Sequence, residues 1–133
     1  MTLDDLKQYQ KLLQRREELL EAIEESANTL KGVPVGSGRV IGGSRSDPVA
    51  VAAAKREKLA AAVADIEERM KAIEIFINDI RADPFGGYVG EVLEWHYIGG
   101  VSWVEMGRTL HEKPDTLRVM CRRYVGKYSE EKL

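Results

Sequence analysis

The chain has 133 residues, with 20 Lys or Arg, 22 Asp or Glu and a formal charge of −2. That length holds one compact domain, or an elongated piece with a small domain beside it, and a 44% apolar fraction is enough for a core. One cysteine, two histidines and no run near the roughly 18 apolar residues of a membrane span exclude a disulfide framework, a cysteine-based zinc site and a transmembrane helix. The opening Met1-Thr2-Leu3-Asp4-Asp5 lacks the basic-then-apolar order of a signal peptide, so a soluble, cytoplasmic protein is expected. Aromatics, at 7%, suit long amphipathic helices better than a β-sandwich.

Residues 3–30 read as one long helix. Leu6, Leu13, Leu20 and Ala27 recur every seventh residue, with Tyr9, Ile23 and Leu30 on the partner row and Arg16 as its exception. Thr2 suits the N-cap, and Asp4 and Asp5 favour the positive end of the helix dipole. Residues 32–47 hold five of the twelve glycines and no helical period, which reads as a flexible connector. Its Gly36, Gly38 and Gly42 match neither nucleotide-binding fingerprint, because no strand precedes them and no Lys-Ser/Thr follows. Asp47 and Pro48 then open a second helix whose Val49, Ala52, Leu59, Val63, Ile66, Met70, Ile73, Ile77 and Ile80 step by threes and fours, interrupted by Arg56.

The two stripes predict an antiparallel, coiled-coil-like helical hairpin over residues 1–83. The same stripes also serve pairing between chains, and a homo-oligomer through residues 3–82 is the partner expectation. Pro84, Gly86 and Gly87 end the second helix. Residues 88–133 are expected to form a second, small domain. Within it 88–97 reads as a short helix and 98–101 as a turn. Ser102 and Glu105 have capping-box spacing, and a helix follows to about Leu110. Pro114 launches the last helix, 114–126, with Leu117, Met120, Cys121 and Tyr124 inward. Gly107 stands where a following helix would cross closely, which is the grammar of a helix-turn-helix. The fold class is therefore all-α.

Charge singles out the same place. Residues 1–107 carry 13 basic and 18 acidic side chains, for a net of −5. Residues 108–127 carry Arg108, Lys113, Arg118, Arg122, Arg123 and Lys127 against Glu112 and Asp115, for a net of +4. A basic helix suits the major groove, since Arg forks onto guanine edges and Lys neutralises phosphates. The candidate DNA-binding residues are Lys113, Asp115, Thr116, Arg118, Val119, Arg122 and Arg123, with Arg108 and Lys127 set toward phosphates. Arg118 and Arg122, one turn apart, lead that set.

The run from Trp95 to Leu110, with Lys113-Pro114-Asp115-Thr116-Leu117-Arg118 after it, resembles region four of bacterial sigma factors. The order of the whole chain, including Gly43-Ser44-Arg45-Ser46-Asp47-Pro48-Val49, is similar to the small phage and prophage regulators of the RinA/ArpU kind. Gly107 departs from that pattern, where Ala is usual, and so do His111 for a turn Gly, Glu112 for an apolar residue and Lys113 for a capping Ser or Thr. The resemblance implies a coiled helix pair and a sigma-like helix-turn-helix that regulates phage genes in the cytoplasm of a bacterial host, with contact to host RNA polymerase.

The remaining residues have blander readings. Trp95 and Trp103 suit the small domain's core, and Cys121 suits its apolar face. His96 and His111 lack ligand partners at metal spacing, and the glutamates of the first helix read as a solvated face. No nucleophile–base arrangement points to an enzyme, and no cofactor is expected. The leading reading is a sequence-specific regulator of double-stranded DNA. The alternative is an interaction module docking on RNA polymerase or another acidic partner, and a third is a structural coiled coil of a phage particle.

Overall fold

The computed structural model describes residues 1–31 and 48–131; the connector expected at 32–47 lies outside them. Every element among the described residues is helical. They are α1 (Leu3–Lys7), α2 (Tyr9–Lys31), α3 (Pro48–Ala82), α4 (Gly87–Leu93), a π-helical turn (Glu94–Ile98), α5 (Trp103–Leu110) and α6 (Pro114–Glu131). The all-α expectation holds, and no described helix is long and apolar enough to cross a membrane.

The described chain forms two compact units, Met1–Leu13 with Arg69–Leu133, and Gln14–Glu68. Expected boundaries at 83 and 88 do not separate them, and the reason lies in the core of the first unit. The heptad stripe of α3 is most deeply buried at its end, at Met70, Ile73, Ile77 and Ile80. Leu6 and Tyr9 join these from the N-terminus, and Val89, Val92, Leu93, Tyr97, Met106, Leu117, Cys121, Val125 and Tyr128 join them from the later elements. The C-terminal helices therefore share one core with the end of α3 and the start of the chain. Polar contacts confirm the joint, because Tyr9 Oη donates to Glu74 Oε1 at 2.6 Å and Ser129 Oγ to the Met1 carbonyl at 2.5 Å. Tyr128 meets Phe76 edge-on at 5.6 Å between ring centroids.

Local choices follow from residue chemistry. Thr2 precedes α1, and the Asp5 carboxylate accepts its backbone N–H at 2.9 Å and its hydroxyl at 3.2 Å. Gln8 interrupts the single helix expected over 3–30, its N–H bonding back three residues to Asp5 at 3.2 Å. Gly90 lets α4 cross α3, since a Cβ there would stand 2.8 Å from the Arg81 Cα. In the π-helical turn the Gly99 N–H reaches five residues back to the Glu94 carbonyl at 2.9 Å. The carbonyls of Tyr97 and Ile98 accept instead from Gln10 Nε2, at 3.1 and 2.7 Å. Arg81 pairs with Glu94 across the same joint.

In the second unit Leu19 and Val63 are buried and Leu59, Ile66 and Ile23 are half-buried. The row of Tyr9, Arg16 and Ile23 is the expected one; on its partner row Leu19 replaces the expected Leu20, while Leu12 and Leu13, like Ser26 and Ala27, are all half-buried. Leu19 is 6% exposed and Leu20 42%. Arg16, half-buried on the same stretch, has its Nε 3.7 Å from Glu67 Oε1. Val49, the first residue of the α3 stripe, is exposed, so that stripe is effective only further along the helix. Val63, Met70, Ile73, Ile77 and Ile80 of that stripe are buried within one chain.

Candidate nucleic-acid interface

The basic segment is built on α5, a three-residue connection and α6. Ser102 Oγ accepts the Glu105 N–H at 3.2 Å, which forms the Ser half of the expected capping box, and the Thr109 hydroxyl donates to the Glu105 carbonyl at 3.0 Å. The helix stops at His111, which takes the left-handed conformation with φ 57° and ψ 40°. The N–H groups of His111 and of Glu112 both bond to the Gly107 carbonyl, the second at 3.0 Å. A Cβ on Gly107 would stand 2.6 Å from the Glu112 carbonyl oxygen and 3.2 Å from the Pro114 ring, so the connection folds directly over the glycine. The Lys113 carbonyl accepts the Leu117 N–H at 3.2 Å, and Pro114 takes the first helical position of α6.

Behind this segment the His96 ring stacks on Trp103 at 3.9 Å, and Tyr97 meets Trp103 edge-on. His96 Nδ1 donates to the Val101 carbonyl at 2.7 Å. Burial lowers the His96 pKa from its ordinary value, against a smaller opposing pull from the Val101 bond. Burial also pushes the Cys121 thiol up to about 12. Trp103 is half-buried as a packing residue, whereas Trp95, expected in the core, is 40% exposed on the π-helical turn.

Arg108, Lys113, Arg118, Arg122, Arg123 and Lys127 are all exposed. Among the described residues Arg118 is the one of these six in an ion pair, with Asp115 three residues earlier. The hollows of this surface take different subsets of the nine candidates. Lys113, Asp115 and Arg118 line a hollow with Trp103, Val104 and Pro114. Arg122 faces another, with Thr2, Asp4 and Lys7 of the chain start and Gly126. Asp115, Thr116, Val119, Arg123 and Lys127 share a shallow, open trough along α6. Arg108 lies apart on α5 and lines none of these.

Two further residues of the trough, Met120 and Tyr124, are half-buried, although both were expected to point inward. The difference comes from the length of α6, which runs past 126 to Glu131 and buries Val125 and Tyr128 instead. The inward face becomes Leu117, Cys121, Val125 and Tyr128, and the neighbouring Met120 and Tyr124 turn to the edge. Phe85 and Val104, 88% and 54% exposed, carry no sequence signal of a surface role beyond being apolar residues outside a periodic stripe. Among the described residues no group of three or more His, Cys, Asp or Glu is placed to hold a metal ion. No family model matches the chain, and no curated protein or solved structure is similar enough to count as a relative.

Proposed function

We propose that the chain is a sequence-specific DNA-binding regulator of the phage or prophage kind, acting in a bacterial cytoplasm, with α5 and α6 as a sigma-like helix-turn-helix. The observation that carries this reading is the concentration of six exposed cations between Arg108 and Lys127, five without an ion-pair partner among the described residues. Exposed, unpaired Lys and Arg on one helix and its approach are what a polyanion requires. The left-handed stop at His111 and the tight fit over Gly107 support a fixed angle between α5 and α6. The antiparallel hairpin belongs to the same proposal. It is supported by one contact within each compact unit, Tyr9 bonding to Glu74 in the first and Arg16 pairing with Glu67 in the second. Fluorescence anisotropy with duplex DNA at two salt concentrations tests the function. Binding should weaken steeply with salt, and Arg118→Ala with Arg122→Ala should weaken it further. Salt-insensitive binding, no binding, or indifference to both substitutions would contradict it.

A second reading has its own support. Val104 is exposed beside Lys113 and Arg118, and an apolar group among cations fits an acidic protein such as a polymerase subunit better than a duplex. A pull-down that survives nuclease, together with no duplex binding, would favour it.

A further inference from the structure

The trough on α6 carries a charge order that is complementary to itself. Asp115 stands at one end, Arg123 and Lys127 at the other, and Val119 and Met120 lie between, with Tyr124 beside Arg123. Laid antiparallel against a second copy, this stripe sets Asp115 of each chain opposite Arg123 and Lys127 of the other, while the apolar side chains meet at the centre. A two-fold contact has this form, because whatever residue i meets as j, j meets as i. Parallel alignment would instead place Asp115 against Asp115 and the cations against one another. We propose that two copies of the chain associate through this face of α6 in an antiparallel, two-fold arrangement.

Two other observations point the same way. Val63, Met70, Ile73, Ile77 and Ile80 of the α3 stripe are already buried within their own chain, so those positions are not free to pair. Phe85, 88% exposed, shares a hollow with Asp83 and with Tyr124 and Lys127 of the trough. The inference does not rest on the DNA reading. It does constrain it, since pairing covers Thr116, Val119, Arg123 and Lys127.

Light scattering on the full chain, without DNA, tests the arrangement. The wild type should have twice the mass of one chain. Asp115→Lys alone should be monomeric, as should the double variant Arg123→Asp with Lys127→Asp, because each homodimer then crosses like charges twice. An equimolar mixture of the two variants should recover the doubled mass, because both crossings then join opposite charges. Circular dichroism of each variant, with an unchanged helical spectrum, separates lost pairing from lost folding; all three positions are exposed. A monomeric wild type would leave this face to some other partner and overturn the proposal. So would variants that remain paired on their own, or a mixture that stays monomeric.

Discussion

At the scale of single residues, the connection between α5 and α6 depends on one position without a side chain and one with an unfavourable backbone. A Cβ at 107 would overlap the Glu112 carbonyl oxygen at 2.6 Å, and that oxygen belongs to backbone that cannot rotate away. Gly107→Ala should therefore destabilise the fold by about 1–2 kcal/mol, the strain of overpacking exceeding the helix preference of Ala. His111 has the opposite problem, since a left-handed conformation costs an L-residue about 1–2 kcal/mol and glycine nothing of that kind. His111→Gly should raise stability by about 0.5–1 kcal/mol after glycine's larger entropy loss is subtracted. Urea unfolding midpoints at constant slope measure both, and a stabilised Gly107→Ala protein would contradict the packing account. Cys121 gives a second check on the same core. Fully buried, with its thiol pushed up to about 12, it is almost entirely protonated near neutral pH. Native protein should react with a maleimide only as fast as it opens, and denaturant should speed the reaction strongly. Labelling of the native chain at the rate of a free thiol would show that the α6 face is not closed.

At the scale of elements, the π-helical turn and α5 are joined through His96, and this joint should be sensitive to pH. The fold lowers the His96 pKa below the ordinary 6.5, mainly by burial, so the folded state favours the neutral ring. The unfolded chain binds the proton more readily, and stability must then rise with pH wherever the two states differ in protonation. The contribution is complete above 6.5 and is lost as pH falls through the lowered folded value. Thermal midpoints should decline between about pH 7 and 5, and His96→Phe, which keeps a ring against Trp103 and cannot ionise, should flatten that decline. An equally steep decline in the variant would place the sensitivity elsewhere. The elements themselves were largely legible, because a three-four stepping of Ile, Met and Leu is a direct record of which face of a helix is covered. The α3 stripe was readable for that reason, and so were Ser102 as a cap and Pro114 as a first helical residue. Choosing between Leu19 and Leu20 was not readable, since both are leucines next to each other and apolar character alone does not say which turns inward. Nor was the end of α6, where Gly126 interrupts a pattern that the packing of Tyr128 against Phe76 continues.

At the scale of the whole molecule, the sequence suggested two segments in series, whereas the core unites the chain's beginning with its end. Patterning shows which faces are apolar but carries no record of which distant face covers them. That is why the basic segment could be found by counting charges, while its supporting core could not be assigned to residues 88–133 alone. The consequence is testable by truncation. A fragment of residues 88–133 keeps Val89, Val92, Leu93, Tyr97, Met106, Leu117, Cys121, Val125 and Tyr128 but loses Leu6, Tyr9, Met70, Ile73, Ile77 and Ile80. Burying one such side chain is worth about 1.5–3 kcal/mol, so the six together supply about as much as the entire net stability of a typical domain. The fragment also loses the Gln10 amide that satisfies the Tyr97 and Ile98 carbonyls, and Arg81, which pairs with Glu94. Circular dichroism should show it mostly unfolded, with no cooperative thermal transition. Supplying the missing strips in trans, as a peptide of residues 69–82 with one of residues 1–13, should restore helix in proportion to their concentration. A fragment that folds cooperatively alone would mean that the C-terminal helices close a core of their own, and that the ends of the chain merely rest upon it.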